Sequence, residues 1–185
     1  MSMQTPAYNL PARVLHWLVL GLLTVQVIGA QIMPEGEDEG VQSAPAVGSL
    51  VDWHMSLGVL IGLVVLARLA WRATWTAPAL AEALPAWQEK AAHITHRTLY
   101  GLLLAIPLAG WAWASANGWT VTLFHTLSLP ALLPKETLPD LLGDLHALMA
   151  NLMLAVVGLH VAAALWHQYV LRDNLLGRMW RGPGD

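Results

Sequence analysis

Four of the eight histidines in this chain, His16, His54, His146 and His160, interrupt long apolar runs. Imidazole exchanges a proton near neutral pH, or binds a transition metal through a neutral ring nitrogen. In hydrocarbon its cost alone makes it a functional candidate. The chain has no cysteine, which excludes disulfides, iron–sulfur clusters and thioether-linked cofactors. A metal centre here must rest on nitrogen or on methionine.

The elements that position these histidines follow from composition. Hydrophobic residues make up 56% of the 185 and charged residues 11%, against roughly 25% charged in a soluble domain, so the natural solvent is a bilayer. A spanning helix needs about 20 apolar residues, and segments 14–33, 50–71, 95–115 and 142–169 meet that requirement. The first exceeds the roughly 7–15 residues of a signal h-region and contains His16, so it reads as a retained span. Backbone polar groups in hydrocarbon must be bonded within their own segment, and the run from Leu57 to Leu66 lacks the period of two of a barrel strand. The expected fold is therefore all-α, an integral membrane four-helix bundle, with residues 1–185 forming one domain without internal repeats. Pro107 is expected to kink the third helix without ending it. Of the connections, 34–49 is acidic, 76–92 is rich in Pro and Ala, and 117–140 is expected to carry a short interfacial helix.

Basic residues near span ends are retained in the cytoplasm. Arg13, Arg68, Arg72, Lys90, Arg97, Arg172, Arg178 and Arg181 fall on one side of a four-span topology and Lys135 alone on the other, so both termini are expected to be cytoplasmic. Glu35, Glu37, Asp38, Glu39, Asp52, Glu136, Asp140 and Asp144 make the outer side acidic. Tryptophans near both boundaries fit interfacial anchoring. A net charge of −3 gives no reason to expect a nucleic-acid partner. Membrane lipid is the expected surrounding.

Depth sorts the histidines. His16, three residues after Arg13, belongs to the inner half of helix 1, and His54 to the outer end of helix 2. His146 and His160 are fourteen residues apart on helix 4. That spacing returns to within about 40° of one face and separates the side chains by about 21 Å along the axis. One helix can thus serve two stacked sites, His54 pairing with His146 at the outer level and His16 with His160 at the inner. Two imidazoles facing across a bundle suit a six-coordinate haem iron, closed to oxygen and fitted for electron transfer. Zinc wants three or four ligands at about 2 Å, more than a pair supplies. Gly58 and Gly158 are expected to let a flat macrocycle approach the backbone. His167, seven residues beyond His160, and His96 at the start of helix 3 could flank a quinone head group at the inner boundary, where imidazole can supply protons. His93 and His125 read as loop residues. Arg68, Arg72 and Arg97 suit topology and head-group contact, or a haem propionate.

With these residues in view, the chain resembles the bacterial cytochrome b561 family over nearly its whole length. The similarity is closest in Gly158-Leu-His-Val-Ala-Ala-Ala-Leu-Trp-His167, continued by Tyr169 and by Arg172-Asp-Asn-Leu-Leu-Gly-Arg-Met179. His16-Trp17 and Trp53-His54 with Gly58 add to it. The resemblance implies two non-covalent b haems stacked across a bacterial inner membrane, with iron ligands at His16, His54, His146 and His160. It implies electron exchange with the quinone pool. For the short stand-alone branch it further implies oxidation of superoxide outside with delivery of the electron to ubiquinone, His96 and His167 matching the quinone positions. Against superoxide stands the acidic outer loop, whose negative potential slows an anionic substrate. Two other readings compete: a haem-bearing membrane anchor of a larger dehydrogenase or hydrogenase, and a histidine-lined metal transporter. A redox partner protein is left open by the residues.

Overall fold

A computed structural model describes residues 7–33, 45–76, 78 and 85–180. Its four long helices are α1 (Leu10–Gln31), α2 (Leu50–Thr74), α3 (Ala86–Ala116) and α4 (Pro139–Trp166), all long and apolar enough to cross a membrane. The acidic cluster Glu35 to Glu39 and both chain termini lie outside the described residues.

Local chemistry explains why each helix starts where it does. α1 opens at Leu10 because the Asn9 side chain accepts a hydrogen bond from the Ala12 amide at 3.1 Å and Pro11 occupies the first turn. α2 is capped by Ser49, whose hydroxyl accepts from the Asp52 amide, while the Asp52 carboxylate accepts from the Gly48 amide at 2.9 Å. The longest departure from the expected spans is α3, which begins nine residues before Thr95. The added segment from Ala86 to Ile94 is too polar to register as a span, yet is rich in the helix formers Ala, Gln, Glu and Lys. His93 lies on that extension, exposed, 3.7 Å from Glu89 one turn away. His96 is therefore ten residues inside the helix, not at its start. α3 runs unbroken through Pro107.

α1 packs on α2, α2 on α3 and α3 on α4. The seam between α4 and α1 is closed at the inner end by the C-terminal segment. There Trp17 Nε1 donates to the Met179 carbonyl at 2.9 Å and the Arg13 guanidinium to the Trp180 carbonyl at 3.0 Å. The fully packed interior is a thin middle layer of Ile61, Val65, Leu102, Leu103 and Met153, with Val19, Leu22 and Leu23 against it. Every residue of this layer lies between the inner and outer histidine depths. Leu18, Leu63, Leu108 and Leu159 are exposed on the flanks, as lipid-facing positions are.

The 117–140 connection departs from expectation. In place of a short interfacial helix it forms a two-stranded ribbon, β1 (Thr122–Leu123) against β2 (Leu127–Ser128), antiparallel with Thr122 opposite Ser128. The β-branched run Thr120-Val-Thr favours strand, and the turn holds Phe124 and His125 at φ 46° and 61°. The ribbon is strapped to α2 through Ser56, which is fully buried: its one hydroxyl proton is shared between the Thr122 and Asp52 carbonyls, each at 3.0 Å, and its oxygen accepts from the Phe124 amide at 3.1 Å. His125 Nδ1 stands 2.7 Å from the Asp52 carboxylate and its ring meets Trp53 edge-on. Replacing Ser56 by Ala leaves both ribbon groups unsatisfied, and about 1–3 kcal/mol of local stability is expected to be lost. Faster amide exchange across 119–129, with the helices still protected, is the measurement that checks it.

Candidate functional site

The histidines singled out by depth meet in the bundle. His54 of α2 faces His146 of α4 with ring centroids 6.1 Å apart, and His16 of α1 faces His160 of α4 at 6.3 Å. Two trans metal–nitrogen bonds of about 2.0 Å, each with about 1.1–1.2 Å from nitrogen to ring centre, space imidazole centroids about 6.3 Å apart. Both pairs stand at the separation that one iron between them demands. His96 is also beside His160, at 5.4 Å, too close for a metal between the two rings. Of the two neighbours of His160, it is His16 whose ring spacing would suit a shared metal.

The surroundings of His146 prepare one nitrogen. Its Nδ1 lies 3.0 Å from the Ile106 carbonyl, and since a carbonyl only accepts, Nδ1 carries the proton and Nε2 keeps its lone pair. The ring reaches that carbonyl over Gly110, where an added Cβ would stand 2.9 Å from His146 Cε1. Trp113 stacks on the other side at 6.3 Å and 24°. At the opposite ring of this level, His54 Nδ1 is buried without a hydrogen-bond partner, and the His54 carbonyl accepts from Gln26 Nε2 at 3.0 Å. Among the described residues no three His, Asp or Glu side chains converge as a simple metal-ion site requires. The donor set is nitrogen pairs at haem spacing, so these residues fit a haem at each level.

Gly110 also serves the site, and the faces of Gly58 and Gly158 are open enough for a flat group to approach. Gly158 has nothing within 4 Å and Gly58 touches only Gln26 Nε2 at 3.4 Å. His96 and His167 have different partners. His96 packs on His160, whereas His167 Nδ1 lies 2.5 Å from the Asp173 carboxylate. The cause is a π-turn over His167–Leu171, stopped by Arg172 at φ 57°, which breaks the α-helical register and folds Asp173 back beneath His167. Arg68 of α2 is held by Tyr100 of α3, its Nε donating to the phenol oxygen at 2.9 Å and its Nη1 to the Ala12 carbonyl at 3.4 Å.

Four spanning helices that face imidazoles at two depths, without cysteine for covalent attachment, define the class of membrane-embedded b-type cytochromes. The chain belongs to the prokaryotic cytochrome b561 family, whose description it matches over residues 7–182. It is therefore a multi-pass bacterial membrane protein that binds b-type haem and carries electrons. It is 28% identical to "Cytochrome b561 homolog 1" of Escherichia coli (strain K12) over 170 residues, covering 89% of this chain and 92% of that protein. To "Probable superoxide oxidase CybB" of Yersinia pestis it is 32% identical over 169 residues, covering 89% and 90%. To "Cytochrome b562" of Cereibacter sphaeroides it is 27% identical over 179 residues, covering 96% and 98%.

Gly110→Ala places a methyl group against His146 and disturbs its bond to Ile106. Haem affinity at the outer level is expected to fall roughly 10–100-fold, with the inner level unaffected. Gly21→Ala, where nothing lies within 4 Å, should leave the haem-to-protein ratio of the purified protein unchanged.

Proposed function

We propose that this protein passes electrons across the inner membrane from a one-electron donor outside to ubiquinone at the cytoplasmic side, through two b haems held by His54 with His146 and by His16 with His160. The observation that carries this reading is the spacing of the two ring pairs, 6.1 and 6.3 Å, at which each pair would hold one haem iron. Each bound haem supplies a one-electron couple at its depth. The chain's own residues hold these couples in register, fill the layer between them with Ile61, Val65, Leu102, Leu103 and Met153, and keep water out of it. The basic inner side and acidic outer side support cytoplasmic termini.

The outer donor is superoxide in this proposal, supported by the Yersinia relative named as a probable superoxide oxidase. Two superoxide anions each give up one electron and leave as oxygen. The two electrons, with two protons from the cytoplasm, convert one ubiquinone to ubiquinol. His96 and His167 are the residues assigned to the quinone. His167 is oriented by Asp173 behind it, whose carboxylate lies 2.5 Å from Nδ1 and leaves Nε2 free to meet the quinone. His96 supplies a second imidazole against the inner ligand His160.

Counting haem per chain in the His→Ala variants tests the two levels: His54 and His146 are expected to cost the same haem, His16 and His160 the other. Crosswise loss, His54 with His160 for example, would refute the pairing. His167→Ala should keep both haems yet slow reoxidation of the reduced protein by a soluble ubiquinone analogue by about 10²-fold or more. Stopped-flow reoxidation at the wild-type rate would place the quinone elsewhere.

A further inference from the structure

The fourteen-residue interval between His146 and His160 recurs on two other helices. On α2 it leads from His54 to Arg68, and on α3 from Gly110 back to His96. Each helix therefore presents one residue to each depth on nearly one face. At the outer depth these residues are His54, Gly110 and His146, with the neutral Gln26 of α1 beside them; at the inner depth they are Arg68, His96 and His160, with His16 of α1. The two levels share a ligand pattern and differ in charge. A guanidinium stands at one of them, whereas among the described residues His54 itself occupies the equivalent position of α2 at the other.

Arg68 is positioned, not loose. Its Nε is bonded to Tyr100 Oη at 2.9 Å, its Nη1 reaches the Ala12 carbonyl at 3.4 Å, and its Cζ lies 6.0 Å from the Tyr100 ring centre. Ala12 is one helical turn before His16, so its contact places the guanidinium at the inner depth. Arginine stays charged at any relevant pH. Towards the outer end of α2 the Asp52 carboxylate is buried two residues before His54.

We infer that Arg68, fixed by Tyr100, makes the inner level the better electron acceptor of the two and so sets the direction of transfer inward. This inference rests on the two-haem reading above. A fixed positive charge favours whichever state carries the extra electron, and its effect is strong where hydrocarbon excludes screening water. Transfer between the levels moves one electron, oxidising the outer couple and reducing the inner, with no proton or bond exchanged. Where a haem propionate meets the guanidinium, neutralising that anion acts with the same sign.

The test is an equilibrium redox titration of the purified holoprotein, followed optically, with His54→Ala identifying the midpoint of the inner level. Arg68→Gln is expected to lower the inner midpoint by about 59 mV or more, a tenfold change in electron partition between the levels, and to leave the outer one in place. Arg68→Lys, which keeps the charge, should hold the inner midpoint near wild type, and Tyr100→Phe should lower it by a smaller amount. Unmoved midpoints in Arg68→Gln, equal movement of both, or Arg68→Lys falling as far as Arg68→Gln would each overturn the inference. If Arg68→Gln loses haem, Tyr100→Phe decides, and an unmoved inner midpoint there overturns it. A wild-type protein with a single haem would refute the two-level reading itself, and haem content reveals that before any potential is measured.

Discussion

A polar side chain surrounded by hydrocarbon has to find a partner inside the protein, and in this chain that constraint is met by helical register. Fourteen residues make close to four turns, so a helix that offers one inward group at the outer depth offers a second at the inner depth. α2, α3 and α4 all use this interval, through His54 and Arg68, Gly110 and His96, and His146 and His160. The rest of the bundle is arranged around the two depths thus created. The buried hydrophobic cluster fills the layer between them, while leucines on the outer flanks are exposed.

The two ends are finished by different means. Outside, the capped start of α2 and the strapped ribbon hold Asp52, His125 and Trp53 as one cluster above His54. Inside, the C-terminal segment folds back on α1, where Met179 and Trp180 bond Trp17 and Arg13. The charge distribution runs the same way as the topology. Carboxylates gather at the outer end, and arginines extend from the inner boundary into the bundle as far as Arg68. In the proposed function, one asymmetry thereby sets both the orientation of the chain and the preferred resting place of an electron.

Much of this was legible in the residues. Long apolar runs located four helices, because twenty residues of hydrocarbon thickness is a demand that few other structures satisfy. Depth alone paired His54 with His146 and His16 with His160, since a spanning helix converts position in sequence directly into position along the membrane normal. The helix starts were less legible. Ala86 to Ile94 is polar and leaves the bilayer, so its helicity comes from propensity and carries no hydropathy signal. The ribbon at Thr122–Ser128 was equally hidden, because its register depends on the buried Ser56 hydroxyl of another element.

By itself the sequence determined the number of long apolar helices and the levels of His16, His54, His146 and His160 along them, which follow from one-dimensional spacing along a regular helix. Only the tertiary structure decided which rings face each other. His160 has both His16 and His96 at its depth, and the difference between 6.3 and 5.4 Å depends on how α1 and α3 pack against α4. Gly110 owes its role to the His146 ring lying over it, and Arg68 owes its placement to Tyr100 on a neighbouring helix. His167 keeps α-helical dihedrals at the end of α4, and the π-turn that follows it brought Asp173 within bonding distance. Rotations and contacts between helices are set by side chains far apart in sequence, and a period read along one helix does not contain them.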